Sequence, residues 1–120
     1  MVSVQKRTTF NAMKLINRGF LMVKPKQPFI DWALGKDPEL MIDENSEGSI
    51  YLIEEAFWDD DLIIEKYAKK IWNQECQSIF EGNLEIELPV FSGNLNEFFV
   101  IELGCTVIDL LKDPISREDL

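Results

Sequence analysis

The sequence predicts an α+β fold: a small, mostly antiparallel sheet of three to four strands, with one long amphipathic helix packed on a face and short extra helices. Apolar runs of strand type predict the three main strands, at residues 15–24, 49–54 and 100–110. Apolar residues at helical spacing predict the long helix, at residues 60–81. The lengths and order of these segments favour a mixed sheet-and-helix domain.

The chain length of 120 residues fits one domain with one core. We place this domain at residues 13–115. We expect residues 1–12 to form a mobile N-terminal extension and the polar residues 116–120 to fray. No apolar run has the length of a signal peptide or a membrane span, so no membrane association is expected.

The strand and turn at the start of this domain form the unit on which the other apolar segments must pack. Residues 20–23 are apolar on both strand faces, which favours a strand covered on both sides, and Gly19 is a candidate bulge. Pro25 lacks a backbone donor and should end the strand. Pro28, at a first helical position, predicts a short helix through about Leu34 that stops at Gly35.

The middle of the chain predicts a turn, a strand and the long helix. Asp37, followed by a proline and a glutamate, predicts a helical turn to about Ile42, and residues 43–48 predict an acidic loop. Residues 49–54 form the clearest strand, which we expect to be central. Asp59–Asp61 precede the long helix, where N-capping and an acidic first turn explain them. Its apolar positions are 64, 67, 68, 71, 72, 79 and 80.

The C-terminal third carries weaker signals. Alternation over Leu84–Leu88 predicts an exposed strand closed by a proline, and Asn94 with Glu97 predicts a helix start. Residues 100–111 fit both a strand and a helix. Alternating apolar residues and a β-branched run favour the strand, which we adopt.

The net charge of −10 is unevenly distributed. Residues 1–36 carry +6, and residues 37–120 carry −16. Such an acidic surface repels nucleic acid and attracts basic proteins, so we expect no direct nucleic-acid binding and a basic protein partner. The oligomeric state is left open.

The cysteine and histidine content excludes several chemistries. Cys76 and Cys105 belong to no metal-ligand spacing, so we predict two reduced, buried thiols in a cytoplasmic protein. The chain contains no histidine. Ser-His-Asp, Cys-His and histidine-ligated zinc schemes are therefore excluded. No Gly-rich phosphate loop occurs, and no cofactor is expected.

Four blocks of the sequence stand out: NRGFLMVKPKQPFIDW at Asn17–Trp32, DPEL at Asp37–Leu40, YLIEE at Tyr51–Glu55 and EFFVIELGCTVIDLLKDPI at Glu97–Ile115. Through these blocks the chain resembles a family of small bacterial hypothetical proteins of unknown function. The resemblance implies kinship and no particular activity. It also implies that residues 84–88 form a connection, against the strand that their alternation predicts.

The best candidate site is the loop KPKQP with the residues behind it: Lys24, Lys26, Gln27, Asp31 and Trp32. Two ammonium groups beside an indole ring could anchor an acidic peptide or a phosphate. Alternatively, the prolines only set a tight turn, the two lysines pair with acids of the 37–120 region, and the tryptophan lies in the core.

Carboxylates offer a second kind of site, through Glu54, Glu55, Asp59–Asp61 and Glu102. They could bind a divalent cation or act as an acid/base pair. However, adjacent strand residues point to opposite faces, and the aspartate run lacks the spacing of a calcium-binding loop.

Our main hypothesis is a non-catalytic protein-interaction module of the accessory, regulatory or immunity type. The alternatives are a carboxylate-based metal-dependent enzyme and an acidic nucleic-acid mimic.

Overall fold

The computed structural model describes residues 13–81, 91 and 93–120. The predicted mobile extension (1–12) and the predicted exposed strand (84–88) lie outside these residues. The strands are β1 (Lys14–Ile16), β2 (Gly19–Pro25), β3 (Ser49–Ile53), β4 (Phe99–Gly104) and β5 (Val107–Asp109). The helices are α1 (Gln27–Lys36), α2 (Asp60–Phe80) and a 3₁₀ turn (Leu95–Glu97). The predicted α+β class is confirmed.

In the part of the chain that the structure describes, the main sheet has three antiparallel strands in the order β3-β2-β4. The central strand is therefore β2, and the prediction that residues 49–54 form the central strand is wrong. The reason is long-range pairing: the C-terminal strand β4 pairs with the free edge of β2 and leaves β3 at the other edge.

The predicted strands 15–24 and 100–110 are each broken in two at the same level of the sheet. β1 pairs with β5 in a separate two-stranded ladder. Three residues separate Ile16 from Phe20, whereas two separate their partners Val107 and Gly104. The unequal count interrupts the ladder, as in a β-bulge. Gly19 lies at this interruption, as predicted, and a Cβ there would come within 2.7 Å of the Glu54 carbonyl oxygen.

The helical turn predicted after α1 does not form a helix. α1 itself passes through Gly35 and ends when the Asp37 N–H donates to the Ala33 carbonyl. The Asp37 carboxylate then accepts from the Glu39 N–H at 3.1 Å, and its carbonyl accepts from the Leu40 N–H at 3.2 Å. These local bonds close one turn and compete with further helix formation.

The long helix α2 begins as the sequence predicts. The Asp59 side chain accepts hydrogen bonds from the N–H groups of Asp61 and Leu62, at 3.0 and 3.2 Å, and so caps the helix. The helix ends at Phe80, and Glu81 adopts a left-handed conformation with φ of 50°. Neither helix of the described chain is long and apolar enough to cross a membrane.

The core lies between α1, α2 and one face of the main sheet, which we call the inner face. Leu21, Val23 and Phe99 of the inner face are fully buried. The helices contribute to an aromatic cluster made of Phe29, Trp32, Trp72, Phe80, Phe91, Phe98 and Phe99. Trp72 lies at its centre, with its ring centroid 5.2 Å from that of Trp32.

The two cysteines differ in burial. Cys76 is fully buried on α2, as predicted, whereas Cys105 is exposed. The prediction for Cys105 is wrong because the residue lies in the bend between β4 and β5, where the alternation of the strand does not hold. Both thiols are free.

Candidate functional site

The predicted KPKQP site is divided between three environments. The side-chain ammonium group of Lys26 donates to the Asn96 carbonyl at 2.7 Å. The backbone N–H of Lys26 donates to the Phe98 carbonyl at 2.9 Å. Lys26 therefore ties the start of α1 to the segment before β4. Its described partner is a backbone carbonyl and not one of the acids that the alternative interpretation invoked.

The other members of that site point elsewhere. Lys24 lies half-buried on the face of the main sheet away from the helices, opposite Val100. The Gln27 amide donates to the Asp31 carboxylate at 2.8 Å across one exposed turn of α1. Trp32 packs in the aromatic cluster, as the alternative interpretation expected. The structure therefore brings Gln27 and Asp31 together and separates them from Lys24.

The candidate carboxylates also do not converge. Glu54 accepts from the Lys66 ammonium at 2.7 Å and from the Tyr67 hydroxyl at 2.5 Å. These two hydrogen bonds, first that of Lys66, lower the pKa of Glu54 to about 2. Asp59 is used as a helix cap, and Glu102 lies on β4 opposite Met22. Among the described residues, no three acidic or thiol side chains are arranged to hold a metal ion.

A part-buried tyrosine–glutamate pair lies between β3 and α2. Glu75 is only 7% exposed, and its Oε2 atom accepts a hydrogen bond from the Tyr51 hydroxyl. Burial, and then the bond to Glu75, raise the pKa of Tyr51 far above its usual range. Tyr51 therefore stays protonated and acts as a permanent donor to the carboxylate.

An open cleft of about 510 Å³ lies beside this pair, between the C-terminal end of α2 and the loop that connects α1 to β3. We call it the acidic cleft. It combines apolar side chains, such as Leu40 and Ile79, with serines and carboxylates, and Pro25 of the KPKQP loop lies at its wall. Among the described residues that line it, five are acids, Asp37, Glu39, Glu47, Glu75 and Glu81, and none is a lysine or an arginine.

Sequence reasoning missed this cleft for a physical reason. The loop at residues 43–48 was identified as acidic, but its position against the end of α2 depends on tertiary packing. Glu75 carried a usable signal, because it lies four residues after Ile71 and three after Trp72, on the buried stripe of α2. A glutamate on such a stripe predicts a buried carboxylate with a partner.

The thiol near this site is unsuited to nucleophilic chemistry. Burial, and then the charge of Glu75, raise the pKa of Cys76 to about 12. The thiolate is the reactive form, so Cys76 is an inert core residue at neutral pH.

Comparison with known protein families, curated proteins and solved structures finds no match to this chain.

Proposed function

We propose that this chain is a non-catalytic protein-interaction module, of the accessory, regulatory or immunity type, whose acidic surface binds a basic partner protein. The observation that carries the proposal is the acidic cleft, whose described lining contains five carboxylates and no basic residue. Its combination of apolar side chains and carboxylates suits the long side chains of lysine and arginine, which present an apolar stem and a cationic head.

The distribution of charge supports the same proposal. Residues 37–65 contain eleven acids and no lysine or arginine, so this segment carries −11, and the rest of the chain carries +1. The segment includes the loop of the acidic cleft and the start of α2. A concentrated field of one sign accelerates encounter with an oppositely charged protein, and ordinary salt screens it within about 8 Å.

The separation of the candidate catalytic groups favours binding over catalysis. Glu54 is held by Lys66 and Tyr67, Asp59 caps α2, and Cys76 is buried with a raised pKa. Each of these groups has a structural role in the described chain. The cleft carboxylates of Glu39, Glu47 and Glu81, in contrast, are exposed and accessible to a partner.

The test uses two variants that remove three exposed charges each. The first, Glu39→Gln with Glu47→Gln and Glu81→Gln, neutralises three exposed carboxylates that line the acidic cleft. The control, Asp113→Asn with Glu118→Gln and Asp119→Asn, neutralises the C-terminal tail. Both bear only exposed substitutions. Tagged wild type and both variants are used as baits in a native lysate at low and high salt, and bound proteins are identified by mass spectrometry.

We expect one basic protein to bind the wild type and the tail variant at low salt and to elute as salt rises. Its association rate, measured with the purified partner, should fall by about tenfold or more in the cleft variant, because steering depends on these charges. Equal binding by the two variants would contradict the role of the cleft. An empty lane with a folded bait would contradict the interaction module itself.

A further inference from the structure

The main sheet has a second face, which no described helix covers, and we call it the outer face. Its apolar side chains come from all three strands: Phe20, Met22, Ile50, Leu52 and Val100. Ile50, Leu52 and Val100 are 66%, 51% and 43% exposed. Cross-strand pairing places them side by side with the central strand, since Phe20 lies opposite Leu52 and Met22 lies opposite Ile50. The outer face is therefore a contiguous apolar surface and not a scatter of single residues.

The strand sequence gives an independent indication that this surface is covered. Residues 20–23 are apolar on both strand faces, a pattern typical of a strand buried on both sides. The helices bury one side, through Leu21 and Val23. The other side lacks a cover from the described chain.

The charges of the outer face decide which cover fits. Its described residues include one cation, Lys24, and one anion, Glu102, and are neutral together, whereas residues 37–65 carry −11. A basic protein is drawn to that acidic segment and not to this face. A surface that is apolar and carries one charge of each sign is complementary to itself.

We infer that the outer face is a self-association surface, on which a second copy of this chain packs sheet against sheet around a twofold axis. Such an axis can place Lys24 of each copy against Glu102 of the other, so that the ion pair forms twice. Within the described residues of one chain the ion pair is Lys66–Glu54, so Lys24 and Glu102 are not already paired with each other.

The size of the surface sets the expected strength. Stable dimers bury about 800 Å² per partner, and three short strands spaced about 4.8 Å apart offer less than that. We therefore expect a dissociable dimer, with a Kd on the order of micromolar, and not a permanent one.

The first experiment measures oligomeric state by analytical ultracentrifugation from about 1 μM to 1 mM. Leu52→Lys places a charge in the outer face. Leu111→Lys, at a residue that is 69% exposed outside both sheets, is the matched control. We expect the wild type and the control to form dimers. The dimer Kd of Leu52→Lys should be higher by at least about tenfold. A wild type that stays monomeric throughout, or a control weakened equally, would overturn the inference.

A charge exchange then tests the twofold pairing. Lys24→Glu and Glu102→Lys should each weaken the dimer by placing like charges together, and the double variant should restore it. Thermal unfolding of each variant, followed by circular dichroism, verifies that the chain is folded. Failure of the double variant to restore a dimer that both single variants weaken would overturn the twofold pairing of this face. None of these measurements involves the basic partner, so they stand or fall independently of the proposed function.

Discussion

The inner face of the main sheet presents Leu21, Val23 and Phe99 with none of their surface exposed, whereas the outer face presents Ile50 and Leu52 more than half exposed. Both faces carry aliphatic and aromatic residues, so side-chain type does not explain the difference. What differs is the cover. α1 and α2 lie on the inner side, and the described helices leave the outer side open.

This difference shows where the stability of the fold originates. Complete burial of a large apolar side chain contributes about 1.5–3 kcal/mol, and this gain requires a neighbour that excludes water. The inner face obtains it from the aromatic cluster. The outer face realises only part of it within one chain, and an added layer would supply the rest. The comparison can be tested by substitutions matched across the two sides.

The largest loss in the free energy of unfolding is expected from truncation of Phe29. Its ring is fully buried and contacts the rings of Phe99 and Trp72, with centroids 4.6 and 5.6 Å apart. Phe29→Ala should lower the free energy of unfolding by about 3–5 kcal/mol, through lost burial and the cavity that remains. Urea unfolding measures this, and Phe29→Leu serves as a milder variant if the alanine variant does not fold.

The control on the outer face is Ile50→Ala, studied at concentrations where the chain is monomeric. Because Ile50 is 66% exposed, its truncation should change the free energy of unfolding by no more than about 0.5 kcal/mol. Similar losses at Phe29 and Ile50 would mean that the two faces are equally covered, and the comparison would fail.

An intermediate loss in the free energy of unfolding is expected when the hydrogen bond between Tyr51 and Glu75 is removed. Tyr51→Phe removes the hydroxyl that donates to Glu75 and leaves a buried carboxylate without that donor. The expected loss is about 1–3 kcal/mol in the free energy of unfolding. Replacing Glu75 as well, in Tyr51→Phe with Glu75→Leu, should recover part of it, because no buried charge then remains.

Tyr67→Phe is the matched control for this pair. Its hydroxyl donates to Glu54, which keeps its bond to Lys66 and is partly exposed to solvent. The loss of stability should therefore be clearly smaller than for Tyr51→Phe. If Tyr51→Phe and Tyr67→Phe lowered the free energy of unfolding equally, burial of Glu75 would not make its hydrogen bond more stabilising than that of Glu54.

The sequence predicted well those elements whose signals are local. Asp59 caps α2 from within its own first turn, and the apolar stripe of α2 follows the helical period over five turns. Pro25 ends β2 and Pro28 lies in the first turn of α1, as their backbone chemistry requires. These signals depend on neighbouring residues, which the sequence displays directly.

Features that depend on distant segments were not predictable in this way. The edge position of β3 and the break shared by the 15–24 and 100–110 strands depend on pairing between segments more than 70 residues apart. The candidate site shows the same limit. Lys24 and Trp32 are close in sequence, but a change from strand to helix between them directs one to the outer face and the other to the aromatic cluster. The acidic cleft requires a loop to pack against α2.

The smallest change in the free energy of unfolding is expected from substitution of Glu54, which is partly exposed to solvent. Hydrogen bonds from Lys66 and then Tyr67 lower its pKa from an ordinary value of 4.5 to about 2 in the folded chain. A lowered folded pKa means that this carboxylate stabilises the fold above pH 4.5 and that the contribution is lost as the pH falls from 4.5 towards 2. Glu54→Gln should therefore be less stable than wild type near neutral pH, and the difference should shrink across that window.

The measurement is the urea midpoint of wild type, Glu54→Gln and the neighbouring control Glu55→Gln as a function of pH. Because Glu54 and Lys66 are both partly exposed, salt should reduce the difference between wild type and Glu54→Gln. Parallel pH profiles for wild type and Glu54→Gln would show that the exposed ion pair contributes nothing to folding. If the stability difference between wild type and Glu54→Gln persisted at high salt, Glu54 would behave energetically like the buried carboxylate of Glu75. The contrast between covered and solvent-facing carboxylates would then no longer hold.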